Sequence, residues 1–544
     1  MEAKKLLTIA LTGLLAGGCL MVPALAEDAD GQSSGNPATY TIPARVKRIE
    51  DYAFAGDTTL ERVKIPDGVT EIGDYAFSGC TNLQEIELPD GLTKIGNHAF
   101  DGCTALVRLG DMNQLESIGE YAFSGCETLE SIGDMPKLQT IGNYAFAEQT
   151  VTDEDSGTST TVSCKSLKTV GNLDSVTRIG SEAFSGCREL ESIGALPNVT
   201  RIAFGAFRNC EKLKKVEGLG KLTAINRNTF TGCTSLKSIG NLLNVTSIGE
   251  QAFAGCASLE SIGNLQNVKS IGSSAFGSYV CYDENHMYQH VYCTSLKSIG
   301  DMPKLETIGA SAFECCSSLE SVGDLSSVTS IGESTFIGCS SLESVGDLSS
   351  VTSIGNSAFS GCSSLASIGN LPNVTSIGER AFGSIYVYDS EAGKGEYIYC
   401  TSLKEIGCMP KLQTISSSAF EGCSALASIG DLSSVTSIGN SAFSGCSSLA
   451  SIGDLPNVTS IGDSVFYNCS SLASIGDLPN VTSIGEWAFS GCSSLASIGD
   501  LRSVTEIGNY AFYECPSLTL RVLPNSYAED YAKSNSIPYT YIED

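Results

Sequence analysis

The stretch LASIGDLPNVTSIGEWAFSGCSS, residues 472–494, decides the fold, because it is one clean copy of a unit that fills most of the chain. Its apolar residues lie mostly three positions apart, a spacing that matches neither the period of about 3.6 of a helix nor the period of about 2 of a strand. A chain that turns corners explains this spacing. We predict short extended pieces at 472–475 and 481–484, separated by turns, and a single helical turn at Ala488 and Phe489.

The unit recurs with a period of 23 residues along the 544-residue chain. Nineteen of the 20 Phe residues, from Phe54 to Phe512, occupy one equivalent position, and only three longer intervals interrupt them. A fixed period of this kind is typical of a solenoid, in which each coil packs on its neighbours and pairs its extended pieces as parallel strands ~4.8 Å apart. We therefore predict a repeat solenoid of about 19 coils over residues 41–518, with short parallel β-strands and a helical turn in each coil.

The consensus of the repeat carries a family resemblance. It runs Leu-x-x-Ile and then Val-Thr-Ser-Ile-Gly-x-x-Ala-Phe-x-Gly-Cys-x-x-Leu, and it covers about residues 40–544. This pattern resembles the bacterial leucine-rich repeat of the BspA type, and residues 519–544 are similar to the C-terminal cap of that family. The resemblance implies a leucine-rich repeat solenoid of 23-residue coils and an adhesin-like surface protein. Many family members carry Ile-x-Leu-Pro in the first strand, as at 86–89, whereas most coils here have Ile-Gly-Asp-Leu, and we expect the extra Gly to shorten that strand.

The N-terminal end differs from the repeat. A pair of Lys precedes an apolar stretch that ends in Ala24–Ala26, which is typical of an export signal, so we predict a signal peptide at 1–26 and a flexible acidic linker at 27–40. A rival signal ends just before Cys19, which would then be lipidated and anchor the protein, and both alternatives stay open. No later apolar run approaches the ~20 residues needed to span a bilayer.

Charge and cysteine usage exclude several classes of protein. A formal net charge of -29 repels nucleic-acid phosphates, so we expect no nucleic-acid partner. Of the 22 Cys residues, 18 sit at one position of the coil, three residues before the next Leu. In-register stacking would space these thiols uniformly, which does not suit pairwise bridges, so we predict buried thiols rather than a disulfide framework.

Three insertions, at 147–163, 277–292 and 383–399, interrupt the repeat. All enter between the Phe and the Cys of the coil, so we expect them to project from one edge. The second and third alternate aromatic or β-branched residues with polar ones around a turn-rich centre, the pattern of a β-hairpin, and Gly393-Lys394-Gly395 is the predicted turn of the third. The first is acidic and rich in Thr and Ser, and we predict a hairpin there too.

The second and third insertions hold eight of the 20 Tyr residues of the chain. Exposed Tyr is favoured at binding surfaces, whereas the alternative is that cross-strand Tyr pairs only hold the hairpins together. The single Trp of the chain is expected at an exposed position before Ala488. The candidate partner-binding residues are therefore Tyr279, Tyr282, Tyr288, Tyr292, Tyr386, Tyr388, Tyr397, Tyr399 and Trp487.

Metal binding and catalysis have little support in the sequence. Cys281, His286, His290 and Cys293 are residue types that bind zinc. The hairpin pattern favours a structural role instead, and Cys293 is one of the 18 Cys at the repeated position of the coil. With three His residues and no nucleotide loop, metalloprotease motif or nucleophile elbow, we predict no catalytic residue, no metal and no cofactor.

The sequence thus favours an exported, monomeric, non-catalytic protein, secreted or held at the bacterial cell surface. It would bind host, matrix or neighbouring-cell surface components through an extended solenoid face and three projecting hairpins. An alternative is a structural spacer or surface-layer component, which the near-identity of the coils over 317–503 favours. An enzyme acting on surface glycans is the third and least favoured hypothesis.

Overall fold

The chain forms two compact units, one ending at Asn172 (unit 1) and one beginning at Leu173 (unit 2). The predicted signal peptide and Cys19 lie outside the described residues and stay predictions. In the part of the chain that is described, no helix has both the length and the apolar composition that crossing a membrane requires. The computed structural model describes residues 39–152, 159–282, 288–389 and 394–542.

Each coil carries two short strands. Strand A follows the Leu that comes three residues after the Cys of the repeat. Strand B ends at the Ile that lies five residues before the Phe. Strands of one type pair in parallel with their equivalents in neighbouring coils, and the register places each Ile beside an Ile, as with Ile118 and Ile141 in unit 1 or Ile248 and Ile271 in unit 2. The predicted parallel solenoid is confirmed.

The strands of unit 1 form two columns. Its A strands are Thr39–Thr41, Arg62–Lys64, Glu85–Glu87, Arg108–Leu109, Ser131–Ile132 and Thr169–Val170. Its B strands are Arg48–Ile49, Glu71–Ile72, Lys94–Ile95, Ser117–Ile118 and Thr140–Ile141.

The strands of unit 2 also form A and B columns. Its A strands are Ser192–Ile193, Lys215–Val216, Ser238–Ile239, Glu405–Ile406, Ser428–Ile429, Ser497–Asp500, Thr519–Val522 and Tyr539–Tyr541. Its B strands are Arg178–Ile179, Arg201–Ile202, Ala224–Ile225, Ser247–Ile248, Ser270–Ile271, Thr307–Ile308, Ser330–Ile331, Ser353–Ile354, Ser376–Ile377, Thr414–Ile415, Ser437–Ile438, Ser460–Ile461, Ser483–Ile484 and Glu506–Ile507.

Strand A is shortened in most coils that have Ile-Gly-Asp-Leu, although the coil with Ser497–Asp500 keeps a four-residue strand. The coil with Ile-x-Leu-Pro has a three-residue strand, Glu85–Glu87. Several coils of unit 2 reduce strand A to a single bridging Ser, as in the bridges from Ser298 to Ser321 and from Ser321 to Ser344. The extra Gly, which lacks a side chain to pack on the pleat, accompanies the loss of the strand as expected.

The predicted helical turn at the Phe is wrong. In unit 1 the backbone N–H groups of Tyr75, Phe77 and Gly79 donate to carbonyls of the next coil over 2.7 to 2.8 Å, so they are not available for hydrogen bonds within a helix. Tyr75 and Gly79 also have φ of 57° and 73°, which a right-handed helix does not allow. The segment is a third hydrogen-bonded ladder between coils. Within the described residues, the helices are a 3₁₀ turn at Leu219–Lys221 and one α-helix, α1, at Tyr527–Ser534.

The core consists of the apolar positions that recur in each coil, which in the coil from Leu472 to Cys492 are 472, 475, 478, 481, 484, 488, 489 and 492. In the coil from Leu472 to Cys492 all eight side chains are at most 4% exposed. The Phe rings of successive coils stack, and Phe336 lies 5.4 Å from both Phe313 and Phe359 between ring centroids.

The cysteine ladder is buried beside the Phe ladder. The thiol of Cys339 donates to the carbonyl oxygen of Phe313 over 3.0 Å, and the equivalent bond recurs along the ladder, as from Cys164 to Phe123 in unit 1. Burial raises the pKa of Cys164 to about 12. The 21 described cysteines are all free thiols, so the ladder consists of buried thiols as predicted.

The C-terminal residues close the array and add turns to it. Strand Thr519–Val522 pairs in parallel with Ser497–Asp500 and with Tyr539–Tyr541. Over the described residues the solenoid therefore has about 21 turns rather than about 19. Between the last two strands lies α1, where Ser526 caps the N-terminus by accepting a hydrogen bond from the N–H of Glu529.

Candidate interaction surface

The three insertions are antiparallel hairpins, which confirms that prediction. Hairpin 1 in unit 1 pairs Gln149–Thr152 with Ser159–Val162. Hairpins 2 and 3 in unit 2 pair Tyr279–Tyr282 with Tyr288–Val291 and Ile385–Asp389 with Lys394–Ile398. The predicted turn of hairpin 3 is displaced, because Lys394 and Gly395 lie in the strand, opposite Asp389 and Tyr388.

The base of each hairpin lies against a column of glycines, formed by the Gly that precedes the ladder Cys. In unit 2, a Cβ atom added to Gly255 would lie 2.6 Å from Cβ of Tyr279, and one added to Gly361 would clash with the side chain of Ile385. In unit 1, Val162 lies in the same way on Gly125. The hairpins therefore pack on the coils instead of standing free of them.

This packing divides the predicted Tyr residues into two groups. Tyr279, Tyr292 and Tyr399 are half-buried at the hairpin bases. Burial is the main reason that the pKa of Tyr292 is raised to about 12 and that the pKa of Tyr279 is raised. Tyr279 packs on Gly232 and Gly255, and Tyr399 packs on Gly422, so these side chains join the hairpins to the coils.

The second group is exposed: Tyr288 at 70%, Tyr386 at 54% and Tyr397 at 60%. Tyr386 and Tyr397 are directly opposite in the register, with ring centroids 5.1 Å apart. The two rings therefore contact each other across the strands and also face solvent. Tyr282 and Tyr388 occupy the strand positions opposite Tyr288 and Gly395.

Trp487 is half-buried rather than exposed as predicted. Its ring stacks on Tyr510 at 4.5 Å, and Tyr513 packs edge-on against both rings. Tyr510 and Tyr513 are 55% and 51% exposed, so the aromatic surface here belongs mainly to them.

A second aromatic surface, in unit 1, is absent from the sequence-based predictions. It consists of five rings stacked face to face, with centroids 4.5 to 4.8 Å apart and planes within 12° of parallel. We call it the aromatic column, and its members are Tyr52, Tyr75, His98, Tyr121 and Tyr144. The signal for it was present in the sequence, because each member stands two residues before a ladder Phe and so must stack in register.

The residue types that could have bound zinc are held by the hairpin and the ladder. In hairpin 2, Cys281 pairs with Gln289 and His290 pairs with Val280. Cys293 is fully buried and its thiol donates to the carbonyl of Phe253. His286 lies outside the described residues, and the described ones contain no group of three or more His, Cys, Asp or Glu able to hold a metal ion.

The repeated Asn and Asp residues form hydrogen bonds between neighbouring coils. The side-chain amide of Asn480 donates to the carbonyl of Pro456 in the preceding coil, and Asn198, Asn244, Asn373 and Asn457 make the equivalent bond. The regular Asp residues behave similarly, as where Asp454 accepts from the N–H of Asp477. These repeated polar residues therefore help to hold successive coils together.

The sequence matches a family model described as a BspA type leucine rich repeat region, over residues 33–152, 157–281, 286–388 and 390–519. The chain belongs to the BspA-type leucine-rich repeat family. Membership of this family suggests a role in protein interaction. No curated protein matches the chain significantly.

Several solved structures resemble this BspA-type chain. A leucine-rich repeat protein from Bacteroides ovatus is 22% identical, covers 94% of each chain and has a TM-score of 0.38. A leucine-rich cell surface protein from Faecalibacterium prausnitzii is 21% identical over 92% of this chain and 91% of its own, with a TM-score of 0.25. The leucine-rich repeat protein of T. pallidum is 28% identical over 41% of this chain and 77% of its own, with a TM-score of 0.24.

Proposed function

We propose that this protein is an exported, non-catalytic, adhesin-like protein, secreted or retained at the bacterial cell surface. It acts as a monomer and binds host, matrix or neighbouring-cell surface components. Export rests on the N-terminal sequence, with anchoring through Cys19 as the alternative to cleavage after Ala26. The family supports a protein-interaction role of this general kind.

The observation that carries the proposal is the exposure of Tyr288, Tyr386 and Tyr397 on hairpins 2 and 3. These rings lie on segments that the repeat itself does not need, and the half-buried Tyr residues at the hairpin bases hold those segments in place. Tyr on a fixed support loses little conformational entropy when it is buried by a partner, which is why it is enriched among residues that dominate binding energy.

A binding panel of matrix proteins, mucins and bacterial cells tests the proposal. The informative variant combines Tyr288→Ser, Tyr386→Ser and Tyr397→Ser and leaves the hairpin bases intact. We expect its binding to weaken at least about tenfold, since side chains that dominate an interface each cost more than about 1 kcal/mol when truncated. The matched control is Tyr467→Ser with Tyr527→Ser, which removes two exposed Tyr of unit 2 outside the hairpins and should leave binding unchanged.

Other outcomes separate the remaining hypotheses. Binding that survives in the hairpin variant contradicts recognition by the hairpins and moves it to the coil faces. The structural-spacer hypothesis has its own support, because the coils over 317–503 are nearly identical and offer a partner little chemical variety. No binding by the unaltered protein to any member of the panel would favour the spacer, and hydrolysis of a glycan panel would favour the enzyme.

A further inference from the structure

The aromatic column of unit 1 is more than the fold requires. All its members have φ between 52° and 59°, a left-handed conformation that is costly for residues with large side chains. The equivalent position in unit 2 has the same conformation but is Ser in seven of 14 coils, as at Ser334 and Ser357. A small polar residue is therefore compatible with this backbone conformation, so the conformation does not explain five consecutive rings.

The column presents ring edges to solvent. Because each inner ring is stacked on both faces, its edge, with a hydroxyl in the case of Tyr, is the part that a partner can contact. Tyr52, at the end of the column, is 61% exposed, and the other four rings are half-buried. The result is a continuous amphipathic strip on the surface of unit 1.

A polar row of three carboxylates and two amides runs beside the strip, formed by the residue before each ring. Its members are Asp51, Asp74, Asn97, Glu120 and Asn143. The row is fixed by the backbone, since Asp74 accepts from the N–H of Asn97 over 2.8 Å and Asn97 from the N–H of Glu120 over 2.8 Å. These bonds hold the side chains of Asp74 and Asn97 beside the strip.

Nearby cations do not neutralise this whole row. Arg48 lies 3.3 Å from Asp51, and Lys94 lies 2.7 Å from Glu71 on strand B. Asp74 and Glu120 form no ion pair with any of the described residues. They are therefore the two carboxylates best able to attract a cationic partner.

The spacing of these two carboxylates selects a partner conformation. Asp74 and Glu120 are two coils apart, so about 9.6 Å separates their backbone positions at ~4.8 Å per coil. A polyproline II helix rises about 3.1 Å per residue with three residues per turn, so its residues i and i+3 are about 9.3 Å apart on one side. A basic residue at every third position would meet both carboxylates in one pass along the column.

We propose that the aromatic column binds a basic, proline-rich segment of another protein in the polyproline II conformation. Proline rings and the aliphatic stems of Lys would lie on the aromatic strip, while the ammonium groups meet Asp74 and Glu120. The preformed polyproline II helix loses little entropy on binding, so a shallow strip is sufficient. This site is independent of the hairpins and does not rest on their proposed role.

The test uses a fluorescent peptide of five Lys-Pro-Pro repeats and measures anisotropy with the full-length protein. A peptide of five Lys-Gly-Gly repeats has the same charge without the conformational preference, and it reports non-specific attraction to a protein of net charge -29. We expect the proline peptide to bind at least about tenfold more tightly at about 0.15 M salt. Equal binding of the two peptides would overturn the proposal.

Two sets of variants locate the binding. Tyr75→Ser with Tyr121→Ser removes rings from the strip, and Asp74→Asn with Glu120→Gln removes charge while keeping hydrogen-bond acceptors. We expect each pair to weaken the proline peptide about tenfold or more. Ser and Asn already occupy these positions in other coils, so folding should survive, and circular dichroism checks it. The control Tyr288→Ser with Tyr386→Ser should bind as the unaltered protein does, and loss of binding in that control alone would refute a site on the column.

Discussion

Phe336 illustrates how a single side chain supports the repeat. Its ring is fully buried and stacks at 5.4 Å on the Phe of the coil before and of the coil after. Trp487 is also stacked, but it is half-buried, with one stacked partner, Tyr510. Ring size alone therefore does not decide how much an aromatic residue contributes to the free energy of unfolding, because burial and the number of stacked neighbours differ.

We expect Phe336→Ala to lower the free energy of unfolding by about 3–5 kcal/mol, because it leaves a cavity between two coils. Trp487→Ala should cost about 1 kcal/mol, the size of one aromatic pair near the surface. Urea denaturation followed by circular dichroism measures both values. Small and equal losses at the two positions would contradict the ladder as the source of stability.

At the scale of elements, the attachment of hairpin 3 depends on a glycine. Gly361 has φ of 73° and lies under Ile385, whereas Gly445 has φ of 75° and an added Cβ atom there would meet only backbone atoms of Gly422. Because φ is almost the same at both positions, replacing either Gly by Ala causes the same backbone strain. Only the first also has a hairpin residue in the space that the Cβ would fill.

Gly361→Ala should therefore cost more than its matched control Gly445→Ala. We expect about 1–2 kcal/mol of backbone strain in both, and a further 1–3 kcal/mol, or release of the hairpin base, at Gly361. Hydrogen exchange of the strand Ile385–Asp389 distinguishes release from strain. If exchange there is unchanged and the two variants are equally stable, the hairpin does not depend on this contact.

The cap helix α1 provides a pH-dependent element. Glu529 is almost completely inaccessible and accepts hydrogen bonds from Lys533, from the hydroxyl of Tyr541 and from the N–H of Asn525. These hydrogen bonds lower the pKa of Glu529 from 4.5 to about 2, and the bond from Lys533 has the largest effect. Because the folded pKa is below the unfolded one, the stabilisation is complete above about pH 4.5 and is lost as the pH falls towards about 2.

We expect Glu529→Gln to destabilise the cap at neutral pH and to make little difference near pH 2, where the unaltered carboxylate is itself becoming protonated. Hydrogen exchange of Thr519–Val522 and Tyr539–Tyr541 measures the cap directly. Asp530→Asn, an exposed carboxylate on the same helix, is the control and should show no such convergence. A gap between Glu529→Gln and the unaltered protein that stays constant with pH would refute the role of these bonds.

For the whole molecule, the period determined most of what could be predicted. Residues such as Leu478 and Ile484 point inward because a coil has only one interior, so spacing alone identified the core. The helical turn was wrong because spacing shows which side chains face inward and not where N–H groups bond. At Tyr75 and Phe77 those groups bond to the next coil.

The candidate site was less predictable than the fold. The interruptions of the repeat and their alternating pattern located the hairpins. The half-burial of Tyr279 and Tyr399, however, depends on glycines in other coils. The aromatic column could have been found by aligning the coils, since His98 and Tyr121 share one position of the unit. The alignment could not show that the backbone at this position is left-handed. Ser is compatible with that conformation, so the conformation does not require the rings, and this is the reason to regard them as functional.

The cysteine ladder offers a coil-by-coil probe of how unit 2 opens. Cys339 is fully buried in the middle of the array, whereas Cys515, in the last coil, is only partly buried, and burial raises its pKa to about 11. Because a solenoid is held together by nearest-neighbour contacts, we expect its terminal coils to open at lower free energy than its middle. Pulsed alkylation below the denaturation midpoint, followed by mass spectrometry, should label Cys408 at once because its thiol is exposed, then Cys515, and Cys339 only on global unfolding. Simultaneous labelling of Cys515 and Cys339 would instead mean that unit 2 unfolds as one cooperative block.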